Sequence, residues 1–441
     1  MANGRESWNS YIGFIFSAIG AIIGIEDIWR LPYIAGVKGG GALLIAYIII
    51  LFTLGLSLFM VELAVGRYFK TSLVNVLFNI RKRFKFAGIA IMSITIILLS
   101  YYVVILGWVF SYAIIIGLAN PSDKVPFEFD KYINSFYPIA SFMIMTGLCF
   151  VIIARGVSRG IERVNKIAMP ILLFLVVLLT VFSISLPGAS KGIHFYLVPD
   201  FHRLTDANVW IAAFGQAFFS LSLGLGVMIT YGSYLTGRKS VINSSLIIVL
   251  SESIIVITVG IIVFSTAFSS NVSPLIGPSL AFETLPLAFS QIQFGNIMGS
   301  LFFILFFIAG VSSALGYFQV PIAIFQDTFR FNRRKAAIVI SSAVLLLGIP
   351  SVLSYSPLHL RLLDTRVLDL VDTAFGTYGI TISAALLTIL VTWFMDNKKI
   401  VDEINRYGRM KIPYWSMSVI KIALPLSIMI VMLFIPLSRI I

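Results

Sequence analysis

The run GAIIGIEDIWRLP, from Gly20 to Pro32, decides what kind of molecule this is. It lies inside an apolar segment of about residues 10–36, yet it carries Glu26, Asp27 and Arg30. A charge at membrane depth is expensive, so it faces a cavity, a partner or a bound ion. Gly20 and Gly24, just before the charges, weaken the helix there. A glycine-interrupted, charged first span points to a ligand site inside a membrane.

The rest of the chain agrees with a membrane setting. Of its 441 residues 59% are hydrophobic and only 12% charged, against about 25% charged in soluble domains; the mean hydropathy is +0.99. Eleven apolar segments are near or above the ~20 residues a spanning helix needs, at about 10–36, 41–67, 86–119, 137–154, 165–186, 208–236, 240–269, 296–330, 336–355, 367–395 and 413–437. The net charge of +13 would suit nucleic acid, but most of the 32 Lys and Arg fall at the N-terminus and in alternate loops, among them Arg81–Arg83, Arg155–Lys166 and Arg333–Lys335. The positive-inside rule then places the N-terminus in the cytoplasm and, with eleven spans, the C-terminus outside a plasma membrane. No nucleic-acid partner is expected. Cys149 is the only cysteine, so no intrachain disulfide exists; it is expected to pack as a small apolar residue in the fourth span.

The sixth segment is interrupted like the first. In FGQAFFSLSLGLGVMITYGSY, Phe214 to Tyr234, Gly224 and Gly226 stand mid-span beside Ser220 and Ser222. Two broken spans five apart suggest two five-helix halves, 10–186 and 208–395, inverted because each has an odd number of spans, with 413–437 peripheral. Paired interruptions of this kind mark transporter binding sites, since unwinding frees carbonyls and N–H groups that must find partners in a medium without water. The alternative is that the glycines merely let helices pack closely. Two long loops, 187–207 and 270–295, fall outside; the second, with Pro274, Pro278 and Pro286, either folds back as a lid over a vestibule or is an ordinary surface loop.

In this setting the chain resembles the neurotransmitter:sodium symporter family, particularly its prokaryotic amino-acid transporters. The resemblance rests on RESW (Arg5–Trp8), WRLP from Trp29, GGGA (Gly39–Ala42), VGRY (Val65–Tyr68), RGVSRGIERVNKIAMP (Arg155–Pro170), GQAFFSLSLGLG from Gly215 and AGVSSALGYFQ (Ala309–Gln319), in order and through the tenth span. A mid-membrane site at broken helices is an established property of that family. The resemblance implies an all-α polytopic membrane protein of eleven transmembrane helices, an inverted 5+5 repeat with broken helices 1 and 6 plus one peripheral helix, forming a single transporter domain over 1–441.

It also implies residues. One sodium would be held by the carbonyls of Gly20, Ile23 and Ala309 and the hydroxyls of Ser312 and Ser313; mid-span serines otherwise tend to bond back to the preceding turn. A second sodium site maps to the Ile22 carbonyl, Asp27, Ser220 and Ser251, where the family usually has asparagine at the Asp27 and Ser251 positions. The family's chloride position, a serine or an acidic residue in relatives, maps to Ile255, near Tyr47, Gln216 and Ser220, so chloride independence is expected. Asp27 or Glu26 would supply the negative charge instead. The substrate pocket maps to Ala21, Gly24, Glu26, Leu98, Tyr102, Phe219, Ser222, Leu225, Ser313 and Tyr317, with Tyr102 donating to a substrate carboxylate. Glu26 replaces a glycine of the amino-acid transporters. Two like charges ~4 Å apart at an effective dielectric of ~20 repel by about 4 kcal/mol, so Glu26 turns away, is protonated, or the substrate lacks a carboxylate. An amino acid and an amine both remain open.

The gates map to Arg30 with Asp372 on the outer side, and to Arg5 with Asp327, Trp8, Ser233 and Tyr234 on the inner side. Glu62 is expected to accept freed backbone donors, while Glu252 has no evident role. Sodium-coupled symport by alternating access is the function these features imply. A channel would lack two occluding gates, and an embedded metalloenzyme would need clustered ligands, whereas His194, His202 and His359 lie in or beside outer loops.

Overall fold

The structure, a computed structural model, describes residues 5–118, 129–270 and 281–437. Among the described residues the regular structure is helical apart from a short hairpin pairing Arg361–Leu362 with Thr365–Arg366 and an isolated bridge between Gly40 and Pro199. Seven helices are long and apolar enough to cross a membrane: Gly41–Phe69 (span 2), Lys82–Leu118 (span 3), Val157–Ile184 (span 5), Val241–Ser269 (span 7), Gly295–Phe329 (span 8), Arg333–Ser354 (span 9) and Val367–Phe394 (span 10). Tyr11–Ile22 and Glu26–Lys38 form span 1, bent by 52° between them. Tyr137–Ile153 is span 4, Ala207–Ser220 with Val227–Ser233 span 6, and Trp415–Leu437 span 11.

Most boundaries fall within a few residues of the expected ones. Span 5 is the exception: it starts at Val157 rather than 165, because a wide π-type turn, Val157–Glu162, runs straight into the helix. Its arginines read as loop residues, but Glu162 is buried and holds the start of span 1, accepting from the N–H groups of Asn9 (2.7 Å) and Ser10 (3.1 Å). Cys149 is fully buried in span 4.

Both expected breaks are present. Span 1 stops at Ile22, and the chain resumes helical form in a π-type turn, Glu26–Arg30. Span 6 stops at Ser220 and resumes at Val227. Ser222, Gly224 and Gly226 there have φ of 51°, 81° and 78°, a left-handed conformation that glycine adopts without strain. Small residues bring neighbouring spans into backbone contact: a Cβ on Gly316 of span 8 would lie 2.9 Å from the Ala21 Cβ, and one on Gly232 of span 6 would lie 2.5 Å from the Leu63 carbonyl of span 2. This is the close approach expected of membrane helices. The result is that the two breaks, span 8 and span 3 share one interior.

Of the two long loops, the first carries a short helix, Ala189–Leu197. In the second, residues 271–280, with Pro274 and Pro278, lie outside the described residues. The remainder folds back: Phe282 is buried and meets the Trp29 ring edge-on at 6.1 Å and the Trp108 ring at 5.8 Å.

Candidate functional site

The break in span 1 leaves particular carbonyls free. In a continuous helix Gly24 N–H would bond to Gly20 O and Asp27 N–H to Ile23 O. Here Gly24 N–H donates to Asp27 Oδ2 (3.1 Å), and Asp27 N–H to Gly24 O (3.3 Å). Ile25 N–H donates to the Tyr102 hydroxyl at 3.0 Å. Gly20 and Ile23 are two of the carbonyls expected to hold sodium. Span 8 brings the rest of that set: Ala309, Ser312 and Ser313 are fully buried, and Ser312 lies so close to Gly20 that a Cβ there would sit 2.9 Å from the serine Cβ. Several buried mid-span hydroxyls bond back one turn, for instance Thr95 to Ile91 O (2.9 Å) and Ser253 to Val249 O (2.6 Å). Ser312 and Ser313 do not; among the described residues the Ser312 Oγ is buried without a partner, and the Ser313 Oγ has only the Tyr102 and Tyr317 hydroxyls beside it. Free carbonyls beside buried hydroxyls are hard oxygen donors, which suits a small alkali or alkaline-earth cation.

Asn165 of span 5, which the sequence did not single out, belongs beside this group. Its Oδ1 is buried and unpartnered, and it lies 2.7 Å from where a Gly20 Cβ would be. The only signal was its place within the RGVSRGIERVNKIAMP run.

The second expected sodium set is assembled only in part. Ser220 Oγ donates a very short hydrogen bond to Asp27 Oδ1, so spans 1 and 6 meet at that carboxylate. Ser251 of span 7 is only half-buried, and among the described residues no hydrogen bond joins it to Asp27 or Ser220. The side chain that span 7 turns inward is its neighbour Glu252. It is fully buried and accepts a hydrogen bond from the Tyr47 hydroxyl. Gln216 completes the cluster through Ser220 Oγ (3.2 Å) and the Glu26 carbonyl (3.4 Å). The acidic group beside Tyr47 is therefore Glu252, not the mapped Ile255. The physical reason is helix phase: neighbours on a helix point about 100° apart, which turns Ser251 away while Glu252 faces inward; Ile255, three residues on, shares the buried face with Glu252 but stands about one turn along it.

The ten pocket residues converge, with different degrees of contact. Tyr317 donates to Glu26 Oε1 (3.3 Å) and bonds with Ser222 Oγ (3.1 Å), which reaches the Ala21 carbonyl (3.3 Å). The Tyr102 and Tyr317 rings meet edge to face at 5.5 Å, and Ser313 lies beside both hydroxyls. The Glu26 carboxylate folds over Gly24, occupying the space that a Cβ there would fill. Leu98 and Leu225 are fully buried, and the Leu225 carbonyl accepts from Thr95 Oγ1 of span 3 (3.4 Å). A cavity of about 280 Å³ opens over this group. Of the ten, Glu26, Tyr102 and Phe219 line it; the other seven are buried behind them. Glu62 takes the role expected of it, with its Oε1 accepting from Gly224 N–H at 2.8 Å.

The two expected gate pairs differ. Arg5 pairs with Asp327 at 2.5 Å, donates to Ser233 Oγ at 2.8 Å and lies 4.8 Å from the Tyr234 ring centre. Trp8 donates to the Tyr231 carbonyl (3.1 Å) and packs edge-on against Tyr231 and Tyr234. Arg333 reinforces this end by pairing with Glu6 at 2.8 Å. At the other end Arg30 and Asp372 both line the cavity, but no ion pair joins them among the described residues. Arg30 lies over the Phe219 ring at 4.9 Å instead. The structure is latched at the Arg5 end and unpaired at the Arg30 end.

Residues 5–120 and 133–439 match the Sodium:neurotransmitter symporter family. The chain belongs to that family. It is 33% identical to an uncharacterized sodium-dependent transporter of Methanocaldococcus jannaschii, over 93% of this chain and 86% of the relative. It is 31% identical to the uncharacterized sodium-dependent transporter YhdH of Bacillus subtilis, over 97% and 96%. Among solved structures it resembles MhsT in complex with L-phenylalanine, with a TM-score of 0.87 and 32% identity, covering 98% of this chain and 99% of that one. It is thus a multi-pass membrane protein and a sodium-dependent transporter of the sodium:neurotransmitter symporter family. Mouse creatine transporter 1, described as sodium- and chloride-dependent, is 28% identical over 70% of the chain.

The Arg5–Asp327 pair gives a direct prediction. Arg5→Ala removes a charge-assisted bond to Asp327 and a second bond to Ser233. Both side chains are about one-fifth exposed, so screening trims the loss to about 2 kcal/mol, a roughly 30-fold shift toward opening. Hydrogen–deuterium exchange over residues 5–14 should accelerate by about that factor. Unchanged exchange would show that Arg5 does not latch this end.

Proposed function

We propose that the chain is a sodium-coupled symporter of a small amino acid or related compound, working by alternating access. The observation that carries this is the meeting of the freed Gly20 and Ile23 carbonyls with the buried Ser312 and Ser313 hydroxyls, next to an organic-sized cavity. Gly20, Ile23, Ala309, Ser312 and Ser313 would hold one sodium; Ile22, Asp27 and Ser220 would contribute to a second, without Ser251. The inverted halves 10–186 and 208–395 would rock about these sites, with 413–437 outside them. Arg5 with Asp327 would close one side and Arg30 with Asp372 the other. The N-terminus would be cytoplasmic and the C-terminus outside, so the structure corresponds to an outward-facing state. One sodium entering down ~100 mV gains about 2.3 kcal/mol and a tenfold gradient adds about 1.4 kcal/mol, enough for several hundredfold accumulation. Uptake into proteoliposomes under an imposed sodium gradient tests the proposal; uptake indifferent to sodium refutes it.

Chloride independence is part of this reading. Glu252 sits with Tyr47, Gln216 and Ser220, where relatives carry either a serine or an acidic residue, and its carboxylate, when ionised, would supply the negative charge at that place. Uptake should be unchanged when gluconate replaces chloride, and the isosteric Glu252→Gln should make it chloride-responsive or abolish it.

A second substrate reading is favoured by one observation. The cavity is lined by three carboxylates, Glu26, Asp369 and Asp372, against the single guanidinium of Arg30, and by the rings of Trp29, Tyr33, Tyr101, Tyr102 and Phe219. Glu26 Oε2 is buried without a partner. Such walls suit an ammonium group, and an amine without a carboxylate would avoid the repulsion at Glu26. Glu26→Gly separates the two: if the substrate is an amine, uptake should fall at least tenfold; if it is a neutral amino acid, uptake should be kept or improved.

A further inference from the structure

Span 5 differs from the other long spans in how little of it is covered. Only 33% of its most apolar window is buried, the lowest among the seven. Ile167, Ile171, Phe174, Val177 and Val181, spaced at three and four residues, are each between 44% and 65% exposed. They form one apolar stripe along the helix. At the Val157 end this stripe runs into a cleft of about 730 Å³ lined by Asn9, Arg155, Arg159, Glu162, Arg163 and Lys166.

The charges in that cleft do not cancel. Glu162 is already saturated: it accepts from Asn9 N–H, Ser10 N–H and Ser10 Oγ (2.9 Å) and pairs with Lys166 at 2.7 Å. Arg155, Arg159 and Arg163 are exposed, and none of them meets a carboxylate among the described residues. Arg155 lies in the turn just before span 5, while Arg159 and Arg163 stand in its first turns, and all three line the same cleft. Arginine presents a planar fork that matches phosphate oxygens. Three unpaired forks at the end of a lipid-facing stripe match a molecule with a phosphate at one end and hydrocarbon along the other.

We propose that this cleft is a binding site for an anionic phospholipid. Its phosphate is held by Arg155, Arg159 and Arg163, and an acyl chain lies along Ile167 to Val181. The site rests on the orientation proposed above, which places the cleft in the cytoplasmic leaflet, where basic clusters meet anionic headgroups. The occupant is a lipid rather than a soluble phosphate because the cleft that gathers the three arginines runs at Ile167 directly into the exposed apolar stripe of span 5.

The test is retention of phosphatidylglycerol against phosphatidylcholine by the full chain, purified from mixed-lipid nanodiscs and delipidated in steps, with bound lipid measured by native mass spectrometry. No transport is measured, so failure of the symport proposal would not alter the result. The wild type should retain phosphatidylglycerol preferentially, and each neutralised arginine should weaken retention about fivefold. The triple variant R155Q/R159Q/R163Q should lose the preference. The triple lysine variant, which keeps the charge, should recover most of it and also serves if the glutamine variant does not fold. Substituting Lys82 and Arg83, exposed cations in another basic loop, with glutamine should change nothing. Equal retention of both lipids by the wild type, an undiminished preference in the glutamine variant, or an equal loss on substituting Lys82 and Arg83 would overturn the site. Displacement of the lipid by soluble glycerol 1-phosphate at comparable concentration would overturn its assignment to a lipid.

Discussion

Asp27→Asn should raise the sodium concentration needed for half-maximal uptake by between ten- and several hundredfold. Asparagine has nearly the same shape, and its amide oxygen can still accept from Gly24 N–H, as Asp27 Oδ2 does at 3.1 Å. The Ser220 hydroxyl, which now donates to Asp27 Oδ1, can turn to accept from the new amide. Little changes in packing, so the loss is electrostatic. A unit charge about 4 Å from a monovalent cation, at an effective dielectric of ~20, is worth about 4 kcal/mol. Retention of a neutral oxygen ligand explains the lower end of the range. Sodium titrations of uptake and of intrinsic tryptophan fluorescence would measure the change. Identical titration curves for wild type and variant would remove Asp27 from any sodium site and leave only the group at Gly20, Ile23 and Ser312.

Gly224→Ala should be more damaging still, although it touches no proposed ligand. Gly224 has φ of +81°, where an alanine Cβ costs about 1–2 kcal/mol. That Cβ would also land 2.3 Å from the Ala384 Cα of span 10. The obstacle is backbone, so no rotamer change relieves it, and overpacking of this kind costs about 1–3 kcal/mol or more. Relief by shifting the chain would break the hydrogen bond from Gly224 N–H to Glu62 and strand a buried carboxylate. The sum is a large part of the ~5–15 kcal/mol that holds a folded protein together. The variant should give little monodisperse protein on size exclusion, and what is recovered should melt about 10 °C or more below the wild type. A normal elution profile with full uptake would mean that the break in span 6 tolerates a different backbone path.

These two positions also show why parts of the site were legible in the sequence. Gly224 and Gly226 stood in an otherwise apolar span, and Glu26 and Asp27 stood where charge is costly, so the breaks announced themselves through residues out of place for a plain membrane helix. Glu62 was legible for the same reason: a lone carboxylate in a span needs donors, and an unwound neighbour has them to spare. Asn165 and Glu252 were not. Glu252 stands beside Ser251 and Ser253 in a helix with no glycine or proline near it to set the register, and its partner Tyr47 is 205 positions away. Asn165 looked like a polar residue at the edge of a basic loop until span 5 proved to begin at Val157.

Sequence alone thus determined the eleven-segment helical architecture, the two interruptions and the misplaced charges at Glu26, Asp27 and Glu62, because hydrophobic length, glycine placement and charge are local properties; the other residues gathered around the breaks followed from the family resemblance. Only the tertiary structure decided which face of span 7 looks inward, that Glu252 rather than Ile255 stands beside Tyr47, and that Arg5 meets Asp327 while Arg30 and Asp372 stay apart. Those outcomes depend on helix phase and on small free-energy differences between alternative packings of the same helices, which no single stretch of chain encodes.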